Sequence, residues 1–231
     1  MGIAGLLDVI LPPACAGCGL PGGPVCAACL AALEPLPPPW CEGCGAPVPV
    51  PVGRCPACRG RIAGARQAVA WSGPAPALVA ALKDDRRRTL APVMAGLIAD
   101  AAPEPAPDAA LVPVPLGPGR ARERGFNQSL LIARALAQAW DRPVAECLRR
   151  EREGPRQRGS SATVRGRQAS RAFAVGGRDA VPARAVLVDD VRTTGATLAD
   201  CARALRAGGA REVGAVCFAR VPALRGGGGL L

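Results

Sequence analysis

Eight cysteines stand before residue 60 in four Cys-x-x-Cys pairs: Cys15/Cys18, Cys26/Cys29, Cys41/Cys44 and Cys55/Cys58. This spacing constrains the chain more than any other feature. Two intervening residues let both sulfurs turn toward one ion, and two such pairs complete a tetrahedron. Four pairs supply two closed Zn²⁺ sites, which are structural because neither leaves a position open for substrate. We expect the first pair to join the second and the third to join the fourth; crossed pairing stays open from spacing alone. Gly19 and Gly45 directly follow two of the pairs, where a metal knuckle often needs positive φ. Redox motifs fit less well, because tandem pairs lack a βαβ context. Disulfides fit a secreted chain, yet the first residues carry Asp8 and no basic stretch, a poor signal peptide. A reducing cytoplasm is therefore expected.

Residues 1–62 are rich in Cys, Pro and Gly without a sustained helical period, the texture of a small metal-stapled unit. Residues 63–231 read as a second domain. Chelating the metal should then unfold the head and leave residues 67–220 mostly folded. Hydrophobic residues make up 49% of the chain but aromatic ones only 3%, so its core must be Ala, Val, Leu and Ile. Histidine is absent, which removes every mechanism that needs an imidazole base and leaves metals to Cys or carboxylates. The net charge is +11, nearly all from Arg, with Lys83 the one lysine. Eight thiolates on two Zn²⁺ would reduce this to about +7. Such an excess suits phosphates, nucleic acid or an acidic membrane surface, and equally a solvated basic exterior. No long apolar stretch is free of charge or repeated Pro, so no spanning helix is expected. Residues 3–10 could form a short apolar helix that packs on the body of the protein, peripheral contact with the inner membrane face being the alternative. Cys147, Cys201 and Cys217 lack paired spacing and read as buried small hydrophobes.

From residue 67 onward, strand and helix signals alternate. Strands are expected at 67–71, 110–115, 185–188 and 212–219. Helices are expected within 76–100, over 127–139, and over 197–207, where Gly208 and Gly209 stop the last one. Residues 149–170, dominated by Arg, Gly, Ser and Gln, read as a loop. This alternation predicts an α/β domain, a parallel sheet flanked by helices.

The chemistry concentrates in 186–197, ValLeuValAspAspValArgThrThrGlyAlaThr. A buried strand ends in two acids, and a turn of Thr and Gly then opens a helix. Backbone N–H groups at a helix N-terminus, with hydroxyls beside them, cradle phosphate. Gly195 lets the backbone approach closely, and Asp189 and Asp190 can grip ribose hydroxyls and help hold a metal ion. Sites of open α/β sheets lie at such strand ends. The plainer reading is a helix capped by Thr193 or Thr194 beside two solvated carboxylates. No Walker-type GxxxxGK[ST] is present, so a P-loop ATPase is not supported.

This string resembles the phosphoribosyl pyrophosphate (PRPP) signature of type I phosphoribosyltransferases. Together with the Cys-x-x-Cys head, AlaLeuLys at 81–83, ValProValPro at 112–115 and ArgGlyPheAsnGln at 124–128, it resembles the ComF family of competence proteins. That resemblance implies a type I phosphoribosyltransferase fold behind a double zinc ribbon. It implies PRPP and Mg²⁺ bound by Asp189, Asp190, Val191, Arg192, Thr193, Thr194, Gly195, Ala196 and Thr197, with Asp189 and Asp190 catalytic. Arg124 would meet the pyrophosphate, with Arg120 and Arg122 as further candidates. The Arg-rich segment 149–171 takes the position of a lid over PRPP, or of a contact to a DNA backbone. Nucleobase transferases often carry an acid in the phosphate loop; Thr193 stands there, so PRPP binding is better supported than transfer to a named acceptor. The resemblance implies a transferase of the glycosyltransferase class, or a non-catalytic PRPP-sensing module that binds DNA or protein. Single-stranded DNA uptake or use, and partners in the competence machinery, follow from the same resemblance.

Overall fold

A computed structural model of the protein describes residues 14–56, 58, 62, 64–151 and 172–222. The apolar segment 3–10 and the lid segment from 152 to 171 lie outside the described residues.

The first part is nearly free of regular structure. One short helix, α1 (Ala27–Ala31), follows Cys26. Gly19 and Gly45 adopt φ of 76° and 69°, the left-handed turns expected after a Cys-x-x-Cys pair.

The remainder builds from β1 (Ala65–Ala70), α2 (Ala75–Lys83), α3 (Leu90–Ala101), β2 (Ala109–Pro113), α4 (Pro118–Arg124) and α5 (Gln128–Trp140). There follow β3 (Leu148–Arg150), β4 (Phe173–Val175), β5 (Arg184–Arg192), α6 (Ala196–Ala207) and β6 (Glu212–Arg220). Four strands form one sheet in the order β1-β6-β5-β2, every pair parallel. β3 and β4 form a separate antiparallel pair. The continuous apolar run of β5 is what a strand needs when it is covered on both faces and flanked by partners on both edges. Leu187 and Val188 are fully buried, one in each apolar cluster. One cluster gathers α2, α3 and α5 with Val188 and Phe218; the other gathers α6 with Leu187, Cys201 and Cys217.

Four elements were not expected from sequence: α1, α4, β3 and β4. α4 was legible: Pro118 stands in its first turn, and Gly125 ends it at φ 72°. The β3/β4 pair has three residues per strand and an arginine-rich first strand, too short for a periodic signal. Cys147, Cys201 and Cys217 are all fully buried, as expected.

The head does not stand apart from the body. Cys15, Val25, Cys29 and Leu33 belong to the same apolar cluster as Leu78, Leu82 and Met94. The Ala70 N–H donates to Glu34 O at 2.8 Å, and Pro35 bridges Val69 at the sheet edge. The expectation that residues 67–220 stay folded once the head unfolds does not fit this shared core.

Candidate functional site

The chain turns back on itself between β2 and β5. Val144 bridges Leu111 on the far side of β2, whereas β6 lies on the far side of β5. Ligand clefts of open α/β sheets form beyond the strand ends at such a reversal. A cleft of about 470 Å³ sits there, with Asp189, Asp190, Val191, Thr193 and Thr197 on one side. Val114, Pro115 and Leu116 come from the segment after β2, Gln128 and Ser129 from the start of α5, and Trp71, Lys83, Arg120, Arg124, Arg150 and Val221 complete the lining.

The two acids have different surroundings. Asp190 is 3% exposed, and its Oδ2 forms an ion pair with the Lys83 ammonium at the end of α2. Its Oδ1 meets Gln128 Nε2 at 3.5 Å. Asp189 is half-buried; its Oδ1 accepts from Ser129 Oγ at 2.9 Å and from the Asp190 N–H at 3.0 Å. Burial, then the neighbouring Asp190 charge, push the Asp189 carboxyl well above its ordinary range. Gln128 and Ser129 reach the acids because Asn127 caps α5, its side chain accepting from the Ser129 N–H at 3.0 Å and donating to Val114 O at 3.0 Å.

After the acids, β5 runs on to Arg192 before the turn. Gly195 caps α6 at φ 78°, and the Ala196 N–H donates to Thr194 Oγ1 at 3.3 Å. Gly195 sits at φ 78°, and that left-handed dihedral calls for glycine; a Cβ there would meet only the movable Arg192 guanidinium, 2.7 Å away. Arg192 is 8% exposed and does not line the cleft; among the described residues its Nε and Nη1 have no hydrogen-bond partner. Arg124 holds Asp84 and Gln128, each at 3.4 Å, and faces the cleft. Arg122 folds back on Pro118 O of its own helix. Lys83, Gln128, Ser129 and Trp71 also line the cleft and were not among the site residues expected from sequence. Two signals pointed to Lys83: it is the sole lysine of a chain rich in Arg, and it ends the AlaLeuLys segment that carries part of the family resemblance.

The cysteines form two separate centres, Cys15/Cys18/Cys26/Cys29 and Cys41/Cys44/Cys55/Cys58, with the four sulfurs of each within 4.8 Å of one another. The pairing is therefore sequential. The donor chemistry fits zinc: four convergent sulfurs, with backbone N–H groups aimed at them. The Cys26 and Gly17 N–H groups donate to Cys15 Sγ at 3.2 and 3.3 Å, and the Cys55 N–H donates to Cys41 Sγ at 3.1 Å. Burial opposes the Cys15 and Cys41 thiolates, but these donors outweigh it and hold both to about 6. Burial, then the adjacent thiols, push Cys29 and Cys58 up to about 12, so a metal must displace protons to bind.

Fold and site together define a phosphoribosyltransferase-type domain joined to a double zinc ribbon. Residues 6–59 match the double zinc ribbon domain family, and residues 127–226 match the phosphoribosyl transferase domain family. The chain belongs to the ComF family. It is 35% identical over 164 residues to "DNA utilization protein YhgH" of Salmonella typhi, a match that covers 65% of this chain and 69% of that protein. It is 37% identical over 107 residues to "Competence protein F" of Haemophilus influenzae (strain ATCC 51907 / DSM 11121 / KW20 / Rd), covering 45% and 47%. With "DNA utilization protein YhgH" of Escherichia coli (strain K12) it shares 38% over 117 residues, 48% of each. The last two matches thus span just under half of the relatives' length. Among the described residues no helix is long and apolar enough to cross a membrane.

Proposed function

We propose that the cleft binds PRPP with Mg²⁺ and that the protein serves the use or uptake of single-stranded DNA in the cytoplasm. One observation carries the ligand reading: paired acids, a hydroxyl-bearing turn and a helix N-terminus converge on a cleft rimmed by Arg120, Arg124 and Lys83. The turn and the α6 N-terminus suit a 5′-phosphate. Arg120 and Arg124 suit the pyrophosphate. Ser129 orients Asp189 toward the ribose side. Magnesium fits the acids, since carboxylate oxygens suit a hard cation and Lys83 is the only donor group that reaches Asp190 Oδ2 among the described residues. Magnesium would supply charge neutralisation to the pyrophosphate. Lys83 must then yield Asp190 or share it. The role in DNA use or uptake rests on the relatives' names.

The rival reading is a binding module that senses PRPP and handles DNA or protein without transfer. Thr193 favours it, because no acid stands in the turn to move a proton on a base. Calorimetric titration with PRPP and Mg²⁺ tests the shared claim: saturable binding is expected, lost in Asp189→Asn/Asp190→Asn. Absence of any binding at millimolar-range PRPP, the order of magnitude of weak metabolite sites, refutes it. PRPP consumption only when a nucleobase is present selects the enzyme. Binding without turnover, with DNA affinity that falls steeply with salt, selects the module.

A further inference from the structure

Two buried arginines end neighbouring strands in register, Arg192 on β5 and Arg220 on β6. They differ in what they reach. Arg220 Nη1 donates to Cys44 O at 2.9 Å and to Gln67 Oε1 at 3.1 Å, and its Nη2 lies 3.9 Å from Cys44 Sγ. At 9% exposure this guanidinium needs acceptors and a counter-charge. A Zn²⁺ held by four thiolates carries a net charge of about −2, which supplies that counter-charge. The same residue's main chain braces the cleft wall. The Trp71 N–H donates to Arg220 O at 2.8 Å, and the Val221 N–H donates to Arg192 O at 2.9 Å. Trp71 and Val221 line the cleft, and Arg192 directly precedes Thr193. There is little slack between the parts: a Cβ on Gly45, next to Cys44, would sit 2.4 Å from the Ala65 carbonyl oxygen on β1.

We propose that Arg220 is a positioning residue that couples metal in the Cys41/Cys44/Cys55/Cys58 centre to the ligand cleft, so that zinc and the phosphorylated ligand bind cooperatively. When zinc leaves, nothing draws the four sulfurs of the centre to one point. Arg220 then loses the metal centre as its anchor, because the Cys44 backbone it bonds is no longer held by the metal. The end of β6 relaxes, and with it the Trp71–Val221 wall and the start of the phosphate turn. Coupling of this kind is reciprocal: the factor by which zinc strengthens ligand binding is the factor by which ligand strengthens zinc binding.

The ligand arm of the test rests on the phosphoribosyl reading; a second arm does not. With the full chain loaded with zinc, saturating PRPP should raise retention of one zinc against a competing chelator by about tenfold. Arg220→Leu should reduce that factor to within about twofold, and Arg220→Lys, which keeps one charged donor, should retain part of it. Without any ligand, removal of that zinc alone should speed amide hydrogen exchange at Trp71, Thr193 and Val221 more than at the buried Ile132 and Leu136 of α5, and Arg220→Leu should show the same local pattern with zinc bound; equal acceleration at all five overturns the coupling. If PRPP fails to bind while exchange responds to zinc, the phosphoribosyl reading falls and the coupling is supported. Unchanged exchange on zinc loss, or wild-type coupling in Arg220→Leu, overturns the proposal.

Discussion

Replacing Lys83 by Met should destabilise the whole protein, although Lys83 sits at the edge of an open cleft. Its ammonium is the ion-pair partner of Asp190, whose side chain is 5% exposed against 23% for Lys83. Deleting one member of a fully buried pair costs about 3–5 kcal/mol, because a buried charge is left alone. Exposed pairs contribute about 0–1 kcal/mol. Partial exposure of Lys83 screens the pair, which places Lys83→Met at about 2 kcal/mol. For a chain of this length that lowers Tm by roughly 4–8 °C. Asp190→Asn removes the charge that needs a partner, so the double variant should recover about 1 kcal/mol relative to the sum of the singles. Urea unfolding followed by circular dichroism in a zinc-buffered solution gives all three values. Additivity within about 0.3 kcal/mol would show that the pair contributes nothing, and the reasoning from burial would fail.

Asp189 sets a pH dependence. Its carboxyl is raised by burial and by the Asp190 charge, so the folded protein holds that proton more tightly than the unfolded chain. Stability then falls as pH rises from the ordinary carboxylate range through the folded value. Asp189→Asn lacks this loss, so its stability advantage over wild type should grow between pH 4 and pH 8, a window set by ordinary carboxylate titration. An advantage that is flat with pH, measured by urea midpoint, would refute it. Gly45→Ala should cost more than about 2 kcal/mol, since it adds left-handed strain to contact with a backbone oxygen that cannot rotate away. A loss below about 0.5 kcal/mol in the same assay would show that the turn is not tight against β1. Because the first cysteine centre shares a core cluster with α2 and α3, chelation should melt head and body in one calorimetric transition. Two separate transitions would restore the independent head.

Local chemistry made part of this protein legible before any fold was known. The apolar run of β5, the acids after it, the Thr-Gly turn and the helix that follows lie within one continuous stretch, and each is a short-range preference of backbone or side chain. The four Cys-x-x-Cys pairs are legible for the same reason, since two residues of chain set how near their sulfurs can be. The Pro and Gly that bound α4 were equally local signals.

What joins these pieces was not in the pattern. Ser129 meets Asp189 across 60 positions, Gln128 meets Asp190 across 62, and Arg220 meets Cys44 across 176. Lys83 reaches Asp190 because α2 ends beside the tip of β5, and Arg192 stays out of the cleft lining although its strand continues past the acids. Sequential pairing of the cysteines was settled in the same way, by where the loops carried each pair. Periodicity and capping act over a few residues and carry no information about which strand will lie beside which. Only the packing of helices and loops against the faces and ends of the parallel sheet brings such distant side chains within bonding distance.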